Sequence, residues 1–235
     1  MLEIINKNGM EFIRFKEGKV NILFSLATNE VSYKLADIET KKNLEKLKEI
    51  FKVEEVNYTN QIHSDIIINL DDETSKDKEA DALIVSKENE IAGVFTADCV
   101  PVILYDTQKN VIASIHSGWK GTIADISEKA AKIMKKKYNC LNIKAIIGPC
   151  VGVCCYEVSK ELASEFEKKY GEGVVNGRML DLKFAIKEQL KDSVKFEDIR
   201  DLDLCTNCNL DYDLHSYRKK AKQSGRLFSF AFIEK

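Results

Sequence analysis

Cysteine and histidine are the side chains here that can both ligate a metal and carry nucleophile or base chemistry, and they are few enough to follow individually. Among 235 residues there are 7 Cys and 3 His. The densest placement is the segment Thr96 to Trp119, TADCVPVILYDTQKNVIASIHSGW. Two apolar stretches, 100–105 and 111–116, flank the polar turn Asp106 to Asn110 and read as a β-hairpin. A register that sets residue 100 opposite residue 116 brings Cys99 beside His116 and Ser117 at the open end. A thiolate and a neutral imidazole are good ligands for zinc or copper. The imidazole can equally take the thiol proton and make a nucleophile. Packing of Cys99, with His116 satisfied at a strand end, is the third reading. The segment alone leaves all three open.

The remaining histidines differ in setting. His63 lies in the polar turn Gln61-Ile62-His63-Ser64, just before the strand-like DIIINL, and reads on its own as a surface histidine. If it joined Cys99 and His116, the trio would leave a tetrahedral zinc one open position, the layout of a catalytic rather than a structural site. His215 precedes the basic run Ser216-Tyr217-Arg218-Lys219-Lys220 and reads as a surface or packing residue. That run and Arg226 suit an anion or phosphate, for which a guanidinium fork is built, or simply form a solvated basic face.

The other cysteines fall mainly in two groups, Cys150/Cys154/Cys155 and Cys205/Cys208. Together they could form a four-cysteine zinc site. The first loop is strongly apolar, however, and its Gly and Pro suit a tight strand-to-helix turn, so packing is the expected role. Glu157 is expected to turn toward a site, and Cys140 to be structural.

These residues need a scaffold, and the sequence supplies alternating elements. Asn8-Gly9 between two apolar stretches signals a hairpin. Leu44, Leu47, Ile50 and Phe51 share one helical face, and a helix is expected from Gly118 to Lys136. Ser159 is a plausible N-cap. Leu182 to Leu190 reads as helix and LFSFAFI, 227–233, as the closing strand. Such a mixture implies a mixed α/β fold, stacked mixed β-sheets covered by helices. Without a linker-like stretch, one domain spanning 1–235 is expected. Charge is nearly balanced, 36 Lys plus Arg against 38 Asp plus Glu, so there is no global basic footprint for nucleic acid. No apolar run approaches a membrane span, and the N-terminus lacks the layout of a secretory signal. An odd cysteine count then points to a reducing compartment, the cytoplasm. The charge balance permits a homodimer without indicating one.

Taken in order, the motifs resemble one family, the YfiH-type laccase-domain proteins, also called polyphenol oxidases and peptidoglycan editing factors. They are Gln61-Ile62-His63, Ala80-Asp81-Ala82-Leu83, Thr96-Ala97-Asp98-Cys99-Val100-Pro101, His116-Ser117-Gly118-Trp119-Lys120-Gly121, Gly148-Pro149-Cys150 through Cys154-Cys155-Tyr156-Glu157, Leu180-Asp181-Leu182, Cys205-Thr206-Asn207-Cys208 and Ser216-Tyr217-Arg218. The resemblance implies a single layered α/β domain and a metal held by His63, Cys99 and His116. Zinc is the expected metal, and an N/S donor set also accepts copper. It implies phosphorolysis of adenosine, inosine and methylthioadenosine, with some adenosine deamination, so a purine nucleoside and phosphate are the expected partners. Asp98 would assist proton transfer or orient a ligand. Asp81, Thr96, Lys120, Arg218 and Arg226 are candidates for lining the substrate pocket.

The chain departs from the family pattern at three places. The usual Thr-Arg-x-Gly-Gly segment is replaced by Ser25-Leu26-Ala27-Thr28-Asn29-Glu30, which removes an expected substrate-side arginine. His215 replaces a usual aromatic, and Lys120 stands where arginine is common. Three other readings compete with the phosphorylase: a copper-dependent phenol oxidase, a metal-free Cys99–His116 amide hydrolase acting on a cell-wall precursor, and a non-enzymatic binding protein. Three histidines are too few for a multicopper cluster.

Overall fold

A computed structural model describes residues 2–235. In chain order its elements are β1 (Leu2–Lys7), β2 (Met10–Glu17), β3 (Val20–Ser25), α1 (Ile38–Phe51), β4 (Glu55–Asn57), β5 (Ile67–Asn69), β6 (Ala82–Val85), β7 (Glu90–Thr96), β8 (Val100–Asp106), β9 (Val111–Ser117), α2 (Trp119–Ile123), α3 (Ile126–Tyr138), β10 (Lys144–Ile147), α4 (Lys160–Tyr170), β11 (Val175–Asn176), β12 (Met179–Leu180), α5 (Leu182–Leu190), β13 (Ile199–Asp201), α6 (Tyr217–Lys220) and β14 (Leu227–Ile233). Two six-stranded mixed sheets dominate. The first runs β1-β2-β3-β14-β7-β4 and the second β13-β10-β8-β9-β6-β5.

Period-two alternation explains the layering, because both faces of the central strands are apolar. On β14, Phe228, Phe230 and Phe232 join Leu44 and Leu47 of α1, while Ala231 and Ile233 face the other way. Val20, Ile22 and Phe24 of β3 meet Ile103, Tyr105 and Ile112 between the two sheets. Val102, Leu104, Ala113 and Ile115 turn instead toward Ala130 and Met134 of α3 and Ile186 of α5. The order is therefore helix, sheet, sheet, helices, which is the layered α/β class expected from the sequence.

The hairpin β8–β9 forms one residue out of the expected register. Val100 pairs with Ser117 and Pro101 with His116. The cause is the turn: Asp106 itself pairs with Val111, and its Oδ1 accepts the backbone N–H groups of Gln108 (2.9 Å) and Lys109 (3.0 Å). The helix expected over 118–136 is divided into α2 and α3 by Asp125, which adopts a left-handed backbone at φ 61°. The expected cap at Ser159 forms, accepting Leu162 N–H.

One connection decides where chemistry can occur. β7 belongs to the first sheet and β8 to the second, so Ala97-Asp98-Cys99 crosses between the layers. Asp98 has φ 90°, a strained value for a residue with a side chain, and this bends the crossing tightly enough to set Cys99 at the end of β9.

Candidate metal centre and substrate cavity

His63, Cys99 and His116 come together from three separate loops and strand ends, with their ligating atoms all within 4.8 Å of one another. The rings of His63 and His116 lie 4.8 Å apart and nearly perpendicular, at 81°. His116 is buried at the end of β9, Cys99 is half-buried, and His63 is exposed. His63 sits in the left-handed region at φ 59°.

A buried carboxylate holds this arrangement. Asp81 has no solvent exposure. It accepts the backbone N–H groups of Ile62 (3.3 Å), His63 (3.0 Å) and Ser64 (2.6 Å), the Ser64 hydroxyl (2.7 Å) and His116 Nδ1 (2.7 Å). Burying an unpaired carboxylate costs several kcal/mol, so this donor set is what keeps it ionised. Burial raises its pKa, but the hydrogen bonds from His116 and Ser64 outweigh that and leave it below the ordinary carboxylate value. With Nδ1 engaged by Asp81, Nε2 of His116 is left to face Cys99, the tautomer that ligates metals.

Cys99 and His116 polarise one another. Burial pushes the thiol up, yet the charge and hydrogen bond of His116, and then those of His63, bring it down to about 6. Burial pushes His116 down, and Cys99 and Asp81 together raise it to about 9. Each group thus favours the charged form of the other. The space also fits an ion. A Cβ at Gly118 would stand 3.0 Å from His63 Cδ2 and 3.1 Å from Cys99 Sγ, so a side chain there would fill the cradle. Two imidazoles and one thiolate are donors that zinc and copper accept.

A cavity of about 890 Å³ opens from this trio. That is within the size range of small-molecule sites. Arg218 and Arg226, expected at the pocket, do line it. The Arg218 guanidinium lies 4.7 Å over the Tyr156 ring and donates to Glu157 O. Asp81, Thr96 and Lys120 do not line it. Asp81 stands behind the histidines. Thr96 is buried in the ladder opposite Leu227. Lys120 is exposed on α2, its ammonium 5.5 Å over the Trp119 ring. These positions were inferred from neighbouring motif residues, but strand alternation and the helix start turn their side chains elsewhere.

Asp98 reaches the cavity wall with its carboxylate occupied. It accepts the Thr206 hydroxyl (2.6 Å) and Arg218 backbone N–H (2.7 Å), tying the crossing loop to the 205–208 turn and to the start of α6. Glu157 does not turn toward the site; it is exposed and ion-paired with Arg178. His215 is buried apart from the trio, its Nε2 bonded to Val31 O at 2.9 Å.

Several lining residues carried no sequence signal. Tyr33 and Lys34 come from the loop after β3, and the Lys34 ammonium donates to the backbone carbonyl of Lys222 (3.2 Å). Gln61 holds Phe95 through both its backbone groups, donating to the carbonyl (2.8 Å) and accepting the N–H (2.6 Å). This side-chain bridge fixes the His63 turn against the end of β7. Its signal was available, since Gln61 stands next to the His63 motif, but only pairing partners reveal its task.

The family described as multi-copper polyphenol oxidoreductase laccase matches residues 27–234. A purine nucleoside phosphorylase of Clostridium acetobutylicum is 43% identical, over 93% of this chain and 94% of its own. Another, from Aquifex aeolicus, is 34% identical over 74% of this chain and 81% of its own. The crystal structure of the hypothetical protein YfiH from Bacillus licheniformis superposes with a TM-score of 0.84 at 21% identity, covering 97% of this chain and 98% of that one.

Proposed function

The chain belongs to the multi-copper polyphenol oxidoreductase laccase family, of YfiH type, and from that premise we propose that it is a zinc-dependent purine nucleoside phosphorylase. The observation that carries this reading is the His63–Cys99–His116 trio opening into a cavity lined by Lys34, Arg218 and Arg226. The names of the relatives agree with it.

The residues divide the work as follows. The three cations hold phosphate, and an arginine fork can bind two of its oxygens at once. Lys34 compensates for the arginine missing from 25–30. Tyr156 and Tyr217 offer ring faces for the purine. A phosphate oxygen forms a bond to the anomeric carbon as the N-glycosidic bond breaks, and the bonding pair leaves with the base. The sugar passes through oxocarbenium character, which the nearby phosphate charge stabilises. Zinc held by His63, Cys99 and His116 would supply Lewis acidity for the charge that grows on the departing purine. Asp98 is a positioning residue, since both carboxylate oxygens are engaged in holding loops together.

A copper oxidase is disfavoured by the donor set, because His215 is bonded elsewhere and only two imidazoles reach the site. A metal-independent hydrolase is the second reading, favoured by the Cys99–His116 pairing. Purified protein with adenosine and phosphate is expected to yield adenine and ribose 1-phosphate, measured by chromatography, and to lose that activity to a chelator. Inosine formed without phosphate would mark deamination. Absence of phosphate-dependent base release sinks the phosphorylase reading, and turnover indifferent to chelation favours the hydrolase.

A further inference from the structure

The fold gathers a second set of thiols outside the cavity. Cys154, Cys155, Cys205 and Cys208 have sulfurs all within 4.8 Å of one another. The Cys154 and Cys208 sulfurs are 3.5 Å apart. Zinc–sulfur bonds of about 2.3 Å in a tetrahedron require sulfurs roughly 3.8 Å apart, so the four are close to that spacing before any ion enters.

Packing, the role expected for these residues, does not account for them. Cys140 and Cys150 are buried and fit it. Cys154 and Cys208 are exposed, and an exposed thiol contributes nothing to a core. We propose that Cys154, Cys155, Cys205 and Cys208 form a second metal site, a closed zinc–thiolate centre that fastens the 150–156 loop to the 205–209 turn.

Three further observations support it. First, the backbone already supplies the support that a metal-bound thiolate uses. Gly152 N–H donates to Cys205 Sγ from 3.3 Å. An amide directed at the first sulfur of a C-x-x-C turn offsets the charge of a thiolate. Second, the two loops are paired independently of any ion. Cys150 N donates to Leu204 O (3.1 Å), and Thr206 N to Cys150 O (2.8 Å). The ligands are therefore pre-placed, which lowers the ordering cost of binding. Third, Gly152 leaves room: a Cβ there would lie 3.2 Å from Cys154 Sγ and 3.5 Å from Cys205 Cβ.

Four protein ligands fill a tetrahedral ion, so this site is structural and has no position for substrate. Its effect reaches the cavity through two short links. Thr206, inside the C-x-x-C turn, donates to Asp98, and Tyr156, next to Cys155, packs under Arg218. On binding, the thiol protons leave to solvent and no redox change is needed.

The Cys99→Ser chain tests the proposal without the other centre. Kept reduced, loaded with zinc and dialysed, it is expected to hold about one zinc per chain by elemental analysis. Cobalt in place of zinc should give an intense near-ultraviolet thiolate charge-transfer band. Both signals should vanish on adding Cys154→Ser and Cys208→Ser. If that variant does not fold, the cobalt band of the Cys99→Ser chain decides. Absence of that band, or freely titrating thiols in zinc-loaded protein, overturns the proposal. None of these outcomes bears on phosphorolysis. A wild-type enzyme that loses all its metal with Cys99→Ser refutes the second site and leaves the proposed activity standing.

Discussion

Cys99 and Cys205 sit at the two ends of one short linkage, Asp98 bonded to Thr206, yet their surroundings are opposite. Around Cys99 the support comes from side chains: two imidazoles, and behind them a buried carboxylate that accepts five hydrogen bonds. Around Cys205 it comes from the Gly152 backbone amide and three more thiols. The first set offers three donor side chains and faces a cavity. The second offers four, of which Cys154 and Cys208 are exposed. A metal in the first keeps a coordination position for chemistry, and a metal in the second keeps none. Cation chemistry and loop fastening can therefore be separated by mutation, although the two clusters are linked through Thr206–Asp98 and through Tyr156 under Arg218.

The largest expected effect breaks the comparison at its centre. Cys99→Ser should lower adenosine phosphorolysis by roughly 10³-fold or more, equivalent to about 4 kcal/mol of lost transition-state stabilisation. The cobalt–thiolate band of the four-cysteine cluster should remain. Loss of that band together with activity would mean that the two centres are not independent.

How far the sequence reached depends on the range of the interaction concerned. The β8–β9 hairpin is local and alternates clearly, so Cys99 and His116 could be brought together from spacing alone. Its register slipped by one because Asp106 serves the ladder and the turn at once, and side-chain hydrogen bonds to Gln108 and Lys109 leave no mark in hydropathy. Very short strands such as β4 and β13 hold too few residues for a period to show. His63 entered the trio only through family resemblance, since a loop of this kind is placed by Asp81 and Gln61 from distant strands. The meeting of the cysteine pairs was hidden for the same reason. Nothing local shows that Cys154 and Cys208 meet in the fold, and an apolar loop reads as packing until its exposure is seen. Lys34 was invisible because a lone lysine after a strand is usually solvated.

A smaller effect sharpens the contrast between side-chain and backbone support. Asp81→Asn keeps the shape but removes the negative charge that orients His116. Metal affinity at the first site should fall by roughly 10- to 100-fold, the usual result of changing a ligand's hydrogen-bond partner. Competition with a chromophoric chelator would measure it. Affinity of the four-cysteine cluster should not change, since Asp81 contacts none of its members. An equal fall at both sites would indicate general unfolding rather than loss of orientation.

The smallest effect concerns the residue that touches both regions. Arg218 donates its backbone N–H to Asp98, lays its guanidinium on Tyr156 two residues beyond Cys154, and faces the cavity. Arg218→Lys preserves the charge and the backbone bond but loses the planar fork and the stacking. If the fork holds phosphate, the KM for phosphate should rise by roughly tenfold, the worth of one charged hydrogen bond, with kcat nearly unchanged. Metal content should stay the same at both centres, because no ligand moves. A fall in kcat with KM unchanged would instead place Arg218 at the reacting bond, and loss of cobalt signal from the cysteine cluster would mean that Tyr156 needs the arginine above it to keep its loop in place.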